Sequence, residues 1–349
     1  MTSGFIGAPL PITPFPRRSS KRFVRCSSAA PQPVTAKSKS KLPSFQSHFL
    51  HVDDFSADQI RDVLNIAKKL KEEDSLNDPD FLPMQKLALS MVFAKPSART
   101  RVSFETAMYK SGGHALCLGP EVGVNTREAA KDVSRVLSGM TDIIMARLFA
   151  HNDILEMAEY ATVPVINGLT DYNHPCQIVA DALTILESRG SVDGAHVVYV
   201  GDGNNIVHSW FELAALIPIR FTCACPKSYL PNMQLFEKVQ QMGISELQIS
   251  HDPTDAVRGA DFVYTDVWAS MGQKDQASER EGAFEGFQIT GDMMRLTNDG
   301  KFLHCLPAER GRECSDEVME ADYSIVFQQA ENRMHAQLAI MLACLGIGV

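Results

Sequence analysis

The chain has 349 residues, 45% of them hydrophobic and 21% charged, with a formal net charge of −9 at pH 7. This is ordinary globular composition, and the length suggests two domains of about 150 residues each. No stretch approaches the roughly 18–20 apolar residues of a helical membrane span, and no repeat of about 20–50 residues or sustained heptad pattern is present.

The first 52 residues differ from the rest. They contain eight Arg or Lys (Arg17, Arg18, Lys21, Arg22, Arg25, Lys37, Lys39, Lys41) and nine serines, and the first acid is Asp53. Scattered prolines discourage a persistent helix or strand. An acid-poor, Ser-rich, basic segment of this kind reads as an organelle transit peptide over residues 1–42, and no apolar core of a secretory signal is present. "VRCSSAA" (24–30) suits a plastid cleavage context, with the mitochondrial matrix as the alternative to the chloroplast stroma. A basic arm that binds nucleic acid or membrane is the competing reading. Removing these eight positive charges takes the net charge from −9 to −17. The remaining body is acidic, which argues against general nucleic-acid binding, and an anionic substrate would need a local basic pocket. None of the eight cysteines forms a Cys-x-x-Cys pair, which disfavours a zinc ribbon and is consistent with a reducing compartment.

From residue 53 onward short apolar runs alternate with helical patterns. Helices are predicted at 56–71, 99–110, 127–138, 152–160, 176–188, 205–216 and 232–242, with a closing helix at about 331–345. The runs at 87–94, 114–119, 142–147, 163–167, 196–201, 220–225, 261–268, 302–307 and 323–327 predict strands. They are nearly continuous in apolar residues, as expected for parallel strands covered on both faces. The alternation predicts an α/β chain with two doubly wound parallel-sheet domains, and "SRGSVDGA" (188–195) is a candidate hinge between them. In such sheets ligands bind beyond the carboxyl ends of strands, so the strand ends are where the chemistry is sought.

After the first strand comes "KPSARTR". Ser97 is a candidate N-cap. The amides of Ala98, Arg99 and Thr100 would then be open donors at a positive helix end, joined by the Arg99 fork and the Thr100 hydroxyl. Arg101 falls on another face and can pair with Glu105. Taken alone, the stretch favours a capped helix with solvated arginines over an anion site. Arg147 closes "DIIMAR". In "NHPCQ", Pro175 fits the first helical position, which puts His174 at the helix mouth and Gln177 in the first turn. "GDGNN" (201–205) lacks the third glycine of a dinucleotide fingerprint, and the following strand ends without an acid for a ribose, which disfavours a nicotinamide dehydrogenase. No P-loop motif occurs. Asn205, Asp266 of "TDVWASMGQ" with its Ser270-Met271-Gly272 turn, Cys305 of "HCLP" and Arg333 of "AENR" complete the polar strand-end residues.

Taken together, Ser97-x-Arg99-Thr100-Arg101, His174-Pro175-x-Gln177, Asp266-x-x-x-Ser270-Met271-Gly272 and His304-Cys305-Leu306-Pro307 resemble the transcarbamoylase family, and within it the ornithine carbamoyltransferases of plant plastids. The resemblance spans residues 45–349. It implies a carbamoyl-phosphate domain at 43–188, an ornithine domain at 189–330, and a C-terminal helix at 331–349 that packs back on the first domain. It implies transfer of the carbamoyl group of carbamoyl phosphate to the δ-amine of L-ornithine, giving citrulline for arginine biosynthesis, with no metal or cofactor and with a homotrimer whose sites lie at subunit interfaces. Carbamoyl phosphate would lie against Ser97, Ala98, Arg99, Thr100, Arg147, His174, Gln177 and Arg333. Ornithine would lie against Asn205, Asp266, Ser270, Met271, Cys305 and Leu306. Arg147, His174 and Cys305 would be the catalytic groups. Two positions depart from the family pattern. Ala98 stands where threonine is common, and Gly123 stands where many relatives carry a glutamine that reaches a neighbouring subunit's site. The second departure suggests that Gly123→Gln would tighten carbamoyl phosphate binding. A catalytically silent carbamoyl-phosphate-binding protein is the remaining alternative.

Overall fold

The structure is a computed structural model that describes residues 47–269 and 277–349. The expected transit segment and the Ser270-Met271-Gly272 turn lie outside the described residues. Among the described residues are nine strands, eight at the expected apolar runs and one, β7, outside them: β1 (Ala88–Phe93), β2 (His114–Leu118), β3 (Ile143–Arg147), β4 (Val165–Leu169), β5 (His196–Val200), β6 (Arg220–Ala224), β7 (Glu246–Ser250), β8 (Phe262–Thr265) and β9 (Lys301–His304). The helices between and after them are α1 (Ala57–Glu72), α2 (Ala98–Lys110), α3 (Ala130–Ser138), α4 (His151–Tyr160), α5 (Pro175–Arg189), α6 (Asn205–Ala214), α7 (Met233–Met242), α8 (Pro253–Ala256), α9 (Ala277–Ala283), α10 (Gly291–Met294), α11 (Asp316–Glu320) and α12 (Val326–Cys344).

The strands form two parallel sheets, ordered β2-β1-β3-β4 and β7-β6-β5-β8-β9. β3 and β5 are buried along their whole length, which explains their unbroken apolar sequences. Local signals set the helix ends. Ser56 and Gln59 form a reciprocal capping box at the start of α1. Pro175 opens α5, and Gly190, at φ 82°, closes it in the left-handed region. Every residue of α5 from Pro175 to Ile185 is buried. A helix covered on all sides must satisfy its few polar side chains internally, and these include Gln177 and Asp181.

One expected strand is absent among the described residues and one strand lies outside the expectation. The run 323–327 predicts a strand. Its first part only bridges β9, with the Phe302 N–H donating to the Tyr323 carbonyl at 2.9 Å and the Ile325 N–H donating to the Phe302 carbonyl at 3.1 Å. Helix α12 then begins at Val326, because the good helix formers that follow bury Gln329 and Arg333 on one face at i,i+4 spacing. Conversely, β7 reads "ELQIS", with two apolar residues in five. It lies at the sheet edge, where Leu247 alone is fully covered, so its apolar signal is short.

α12 leaves the second sheet and packs against α5, α2 and α1. It thereby carries Arg333 back to the start of α2. Leu338 on this helix is completely buried. Leu338→Ala should destabilise the protein by about 2–5 kcal/mol through lost burial and the cavity left behind, measured as a lowered urea midpoint with an unchanged slope.

Candidate active site

Each sheet has a pair of neighbouring strands from which the chain departs in opposite directions, β1 with β3 and β5 with β8. Crevices open beyond the carboxyl ends at such points. In the first sheet β1 leads into Ser97–Arg101, and β3 ends at Arg147, whose register partner is Phe93. In the second sheet β5 leads into Gly201–Asn205 and β8 into Asp266, while the adjacent β9 leads into Cys305. Ser97–Thr100, Arg147, Asn205 and Asp266 therefore fall at topological switch points, while His174 and Gln177 follow the edge strand β4, Cys305 follows the edge strand β9 and Arg333 lies on α12.

The first crevice is cationic. Ser97 caps α2, its hydroxyl accepting the Thr100 N–H at 3.4 Å and lying 3.0 Å from the Thr100 hydroxyl. The same Thr100 oxygen accepts from Arg147 Nη1 at 3.3 Å and from Arg333 Nη2 at 2.7 Å. Thr100, Arg147 and Arg333 are all buried. Burial, together with the charges of Arg333 and Arg99, lowers the Arg147 guanidinium to about 10, which leaves it charged at neutral pH. Burial followed by the Arg99 charge also lowers Arg333. His174 is pushed well below its ordinary value by burial, then by Arg333, Arg147 and Arg99. It is therefore a neutral imidazole with one N–H to donate. Arg147 Nε, Arg333 Nε, His174 Nδ1 and Gln177 Oε1 are buried without a hydrogen-bond partner among the described residues. Converging positive charge and open polar atoms at a helix N-terminus define an anion site.

The second crevice is acidic. Asp266 is buried, and its carboxylate accepts the Val267 N–H at 2.8 Å, the Asn204 amide at 3.0 Å and the Cys305 thiol at 3.1 Å. Burial first, then the charge and hydrogen bond of Asp266, push the Cys305 thiol well above its ordinary range, so it is a protonated thiol. His304 is committed at both ring nitrogens: Nδ1 accepts the Leu306 N–H at 2.9 Å, and Nε2 lies 3.1 Å from Glu313. Those bonds fix the tautomer. They also occupy the nitrogens it would need as a ligand, although Asp266, His304 and Cys305 bring donor atoms within 4.8 Å of one another. The two crevices adjoin, since Cys305 and Asp266 both act on the Arg147 charge.

Ser97, Thr100, Arg147, His174, Gln177 and Arg333 are brought together as one cluster, with Ala98 opening α2 and Arg99 in its first turn. Asp266, Cys305 and Leu306 form the second group. Asn205 begins α6 beside it, and its amide donates to the Thr170 carbonyl at 2.8 Å. Its neighbour Asn204, not singled out in the sequence, caps α6 and holds Asp266. Ser270 and Met271 lie outside the described residues. Lys95 was also missed. It is half-buried near Arg147 and is lowered by burial and by that charge, and its place in "FAKPSARTR" was the available signal. Arg101 pairs with Glu105 at 3.0 Å on an exposed face. The expectation for Gly123→Gln meets a backbone obstacle. Gly123 sits at φ 65°, and a Cβ there would lie 2.6 Å from the Cβ of Arg127. A glutamine would distort the turn that presents it.

This fold and this pair of sites belong to a known class: the chain is a member of the aspartate/ornithine carbamoyltransferase family. Residues 47–187 match its carbamoyl-P binding domain and residues 193–344 its Asp/Orn binding domain. Among similar proteins is a chloroplastic ornithine carbamoyltransferase of Pisum sativum, 54% identical over 327 residues that cover 93% of this chain and 87% of that protein. An anabolic ornithine carbamoyltransferase of Pyrococcus furiosus is 43% identical over 302 residues, covering 85% and 96%. The solved P. furiosus enzyme superposes with a TM-score of 0.82 at 42% identity, covering 88% of this chain and all of that one. The anabolic enzyme of Campylobacter jejuni gives 0.80 at 36%, covering 85% and 98%.

If Asp266 holds the Cys305 thiol protonated, Asp266→Asn should lower its titration. Alkylation of Cys305, followed by peptide mass spectrometry across pH 7–10, should begin at lower pH in the variant. An unchanged profile would count against the contact.

Proposed function

We propose that this chain transfers the carbamoyl group of carbamoyl phosphate to the δ-amine of L-ornithine, releasing citrulline and phosphate, as the anabolic step of arginine synthesis. The observation that carries this reading is the buried convergence of Arg147 and Arg333 on Thr100 at the capped start of α2, beside the acid-bearing ends of β8 and β9.

Ser97, the Ala98 amide, Arg99 and Thr100 take the phosphate, with Arg333 beside them. Arg147 and neutral His174 donate to the carbamoyl oxygen, where negative charge grows in the tetrahedral transition state. Gln177 Oε1 accepts from the carbamoyl NH2. Asp266, Asn205, Ser270 and Met271 hold the α-amino and α-carboxylate ends of ornithine, and Cys305 with the Leu306 backbone lies by the δ-nitrogen. The δ-ammonium first loses a proton. Its nitrogen then bonds to the carbonyl carbon, the C–O bond to phosphate breaks with its electron pair leaving on phosphate, and a second proton passes from the new amide nitrogen to the departing phosphate. No covalent enzyme intermediate is required, and a protonated Cys305 serves to orient the amine. Holding both substrates in attack geometry supplies up to roughly 7–11 kcal/mol of the barrier. An acid at Asp266 suits a free α-ammonium better than the second carboxylate of aspartate or the acylated nitrogen of an N-acylornithine. Putrescine would leave the Ser270-Met271-Gly272 turn without a carboxylate to hold.

The carbamoyl-phosphate part is assigned to 43–188, the ornithine part to 189–330, and the returning segment to 331–349, although its helix α12 spans Val326–Cys344. A homotrimer is what the family resemblance implies, and exposed Val102 and Tyr109 on α2 with Leu116 on the edge strand β2 leave apolar area for contact with another copy. Import into the chloroplast stroma is supported by the composition of residues 1–42 and by the chloroplastic pea relative. The mitochondrial matrix is the competing destination. No helix among the described residues is long and apolar enough to cross a membrane.

Purified protein mixed with carbamoyl phosphate and L-ornithine should form citrulline. No product while carbamoyl phosphate still binds would leave only a silent binding protein. Arg99→Ala should lower turnover at least a hundredfold with the fold retained by circular dichroism, and near-wild-type turnover would refute its phosphate role.

A further inference from the structure

One fully buried acid beside the site has no part in the reaction steps above. Asp181 lies on α5 one turn after Gln177 and is completely buried. Its Oδ1 accepts from Gln177 Nε2 at 2.8 Å and from Gln329 Nε2 at 2.7 Å. Gln329, on α12, is fixed in turn because its Oε1 accepts the His304 N–H at 2.8 Å. The other groups facing Asp181 are Arg333 from α12, the Tyr264 hydroxyl from β8 and the Cys305 thiol after β9. No ion pair holds Asp181 among the described residues.

The donor count gives this arrangement a direction. A carboxylate only accepts, so it orders both amides with their NH2 groups inward. Gln177 must then turn its Oε1 away from Asp181, and that oxygen is buried without a partner among the described residues. It is the atom that has to accept from the carbamoyl NH2. Both amides donate to Oδ1, while Oδ2 is buried without a partner among the described residues, so a proton on Oδ2 leaves the constraint in place. Replacing the acid by an apolar side chain would free Gln177, whose NH2 could then face the carbamoyl NH2, donor against donor.

We propose that Asp181 is a positioning residue for carbamoyl transfer: its carboxylate, locked by Gln329, fixes which end of the Gln177 amide meets the carbamoyl group. The proposal rests on the reading of Gln177 as the carbamoyl acceptor. Burial, opposed by the hydrogen bonds from Gln329 and Gln177 and then by Tyr264 and the Arg333 charge, pushes the carboxyl up to about 7. A proton taken up there falls on the unpartnered Oδ2 and leaves both Oδ1 contacts in place.

Steady-state kinetics of the full chain test this with Gln177→Ala, Asp181→Leu and the double variant. Each single change should raise KM for carbamoyl phosphate about tenfold, and the double should be no worse than Gln177→Ala alone. Multiplying effects would overturn the proposal while leaving the role of Gln177 intact. An unchanged KM in Gln177→Ala would overturn both. A further variant does not depend on Asp181→Leu folding. Asp181→Asn keeps an acceptor oxygen at the Oδ1 position and should hold KM for carbamoyl phosphate within about threefold of the wild type. A KM raised as far as in Gln177→Ala would contradict positioning through the Oδ1 contact.

Discussion

The Thr100 hydroxyl receives guanidinium N–H groups from two arginines that come from different parts of the chain, Arg147 from the end of β3 and Arg333 from α12. Two like charges share one buried neutral acceptor, with Arg99 close enough to act on both. Taking such charges out of water together is unfavourable unless the surroundings hold them rigidly or an anion joins them. The rest of the first sheet supplies the rigidity. β3 is buried along its length, so the position of Arg147 is fixed by strand register. α12 packs into the core beside α5 and α2, which fixes Arg333. The cap at Ser97 fixes the start of α2, where the backbone amides add their partial positive charge.

The His174 loop is fastened to both halves of the molecule. The Asn173 amide donates to Glu212 at 3.0 Å and to the Leu50 carbonyl at 3.0 Å, and Glu212 also takes the Val52 N–H at 3.0 Å and His51 at 2.8 Å. The His174 N–H donates to the Ser209 hydroxyl at 2.8 Å. α6, which carries Ser209 and Glu212, follows the β5 crevice, so His174 and the second crevice share one support. Arg280 donates to Asp202 at 2.6 Å and to the Trp268 carbonyl at 2.6 Å, tying α9 to the turn after β5. The precision that attack geometry demands thus comes from side chains packed between the two sheets, with few of them able to move independently.

Much of this was legible from residue order. The alternation of apolar runs and helical patterns gave the two parallel sheets, because strands covered on both faces have little sequence freedom. The strand-end polar residues marked the two crevices, because a charge after a buried run has few places to go. What escaped was decided by partners distant in sequence. Asp181 reads as one polar residue in a helix, and its two amide donors lie four and 148 positions away. Asn204 and Asn205 are adjacent and alike, and only the fold shows that one caps α6 and holds Asp266 while the other spans to Thr170. The run 323–327 looks like a strand because its apolar residues are contiguous. The helix that replaces part of it is selected by the burial of Gln329 and Arg333 further on. At Gly123 the left-handed backbone, invisible in the residue type alone, decides what the loop can carry.

The central claim is that the arginines gathered around Thr100 form the carbamoyl phosphate site. Calorimetric titration of carbamoyl phosphate into the wild type and into Arg333→Met, without ornithine, tests it most directly. The account predicts one ligand per chain and an affinity at least a hundredfold weaker in the variant, with the fold retained. Equal affinity in the two proteins would contradict it.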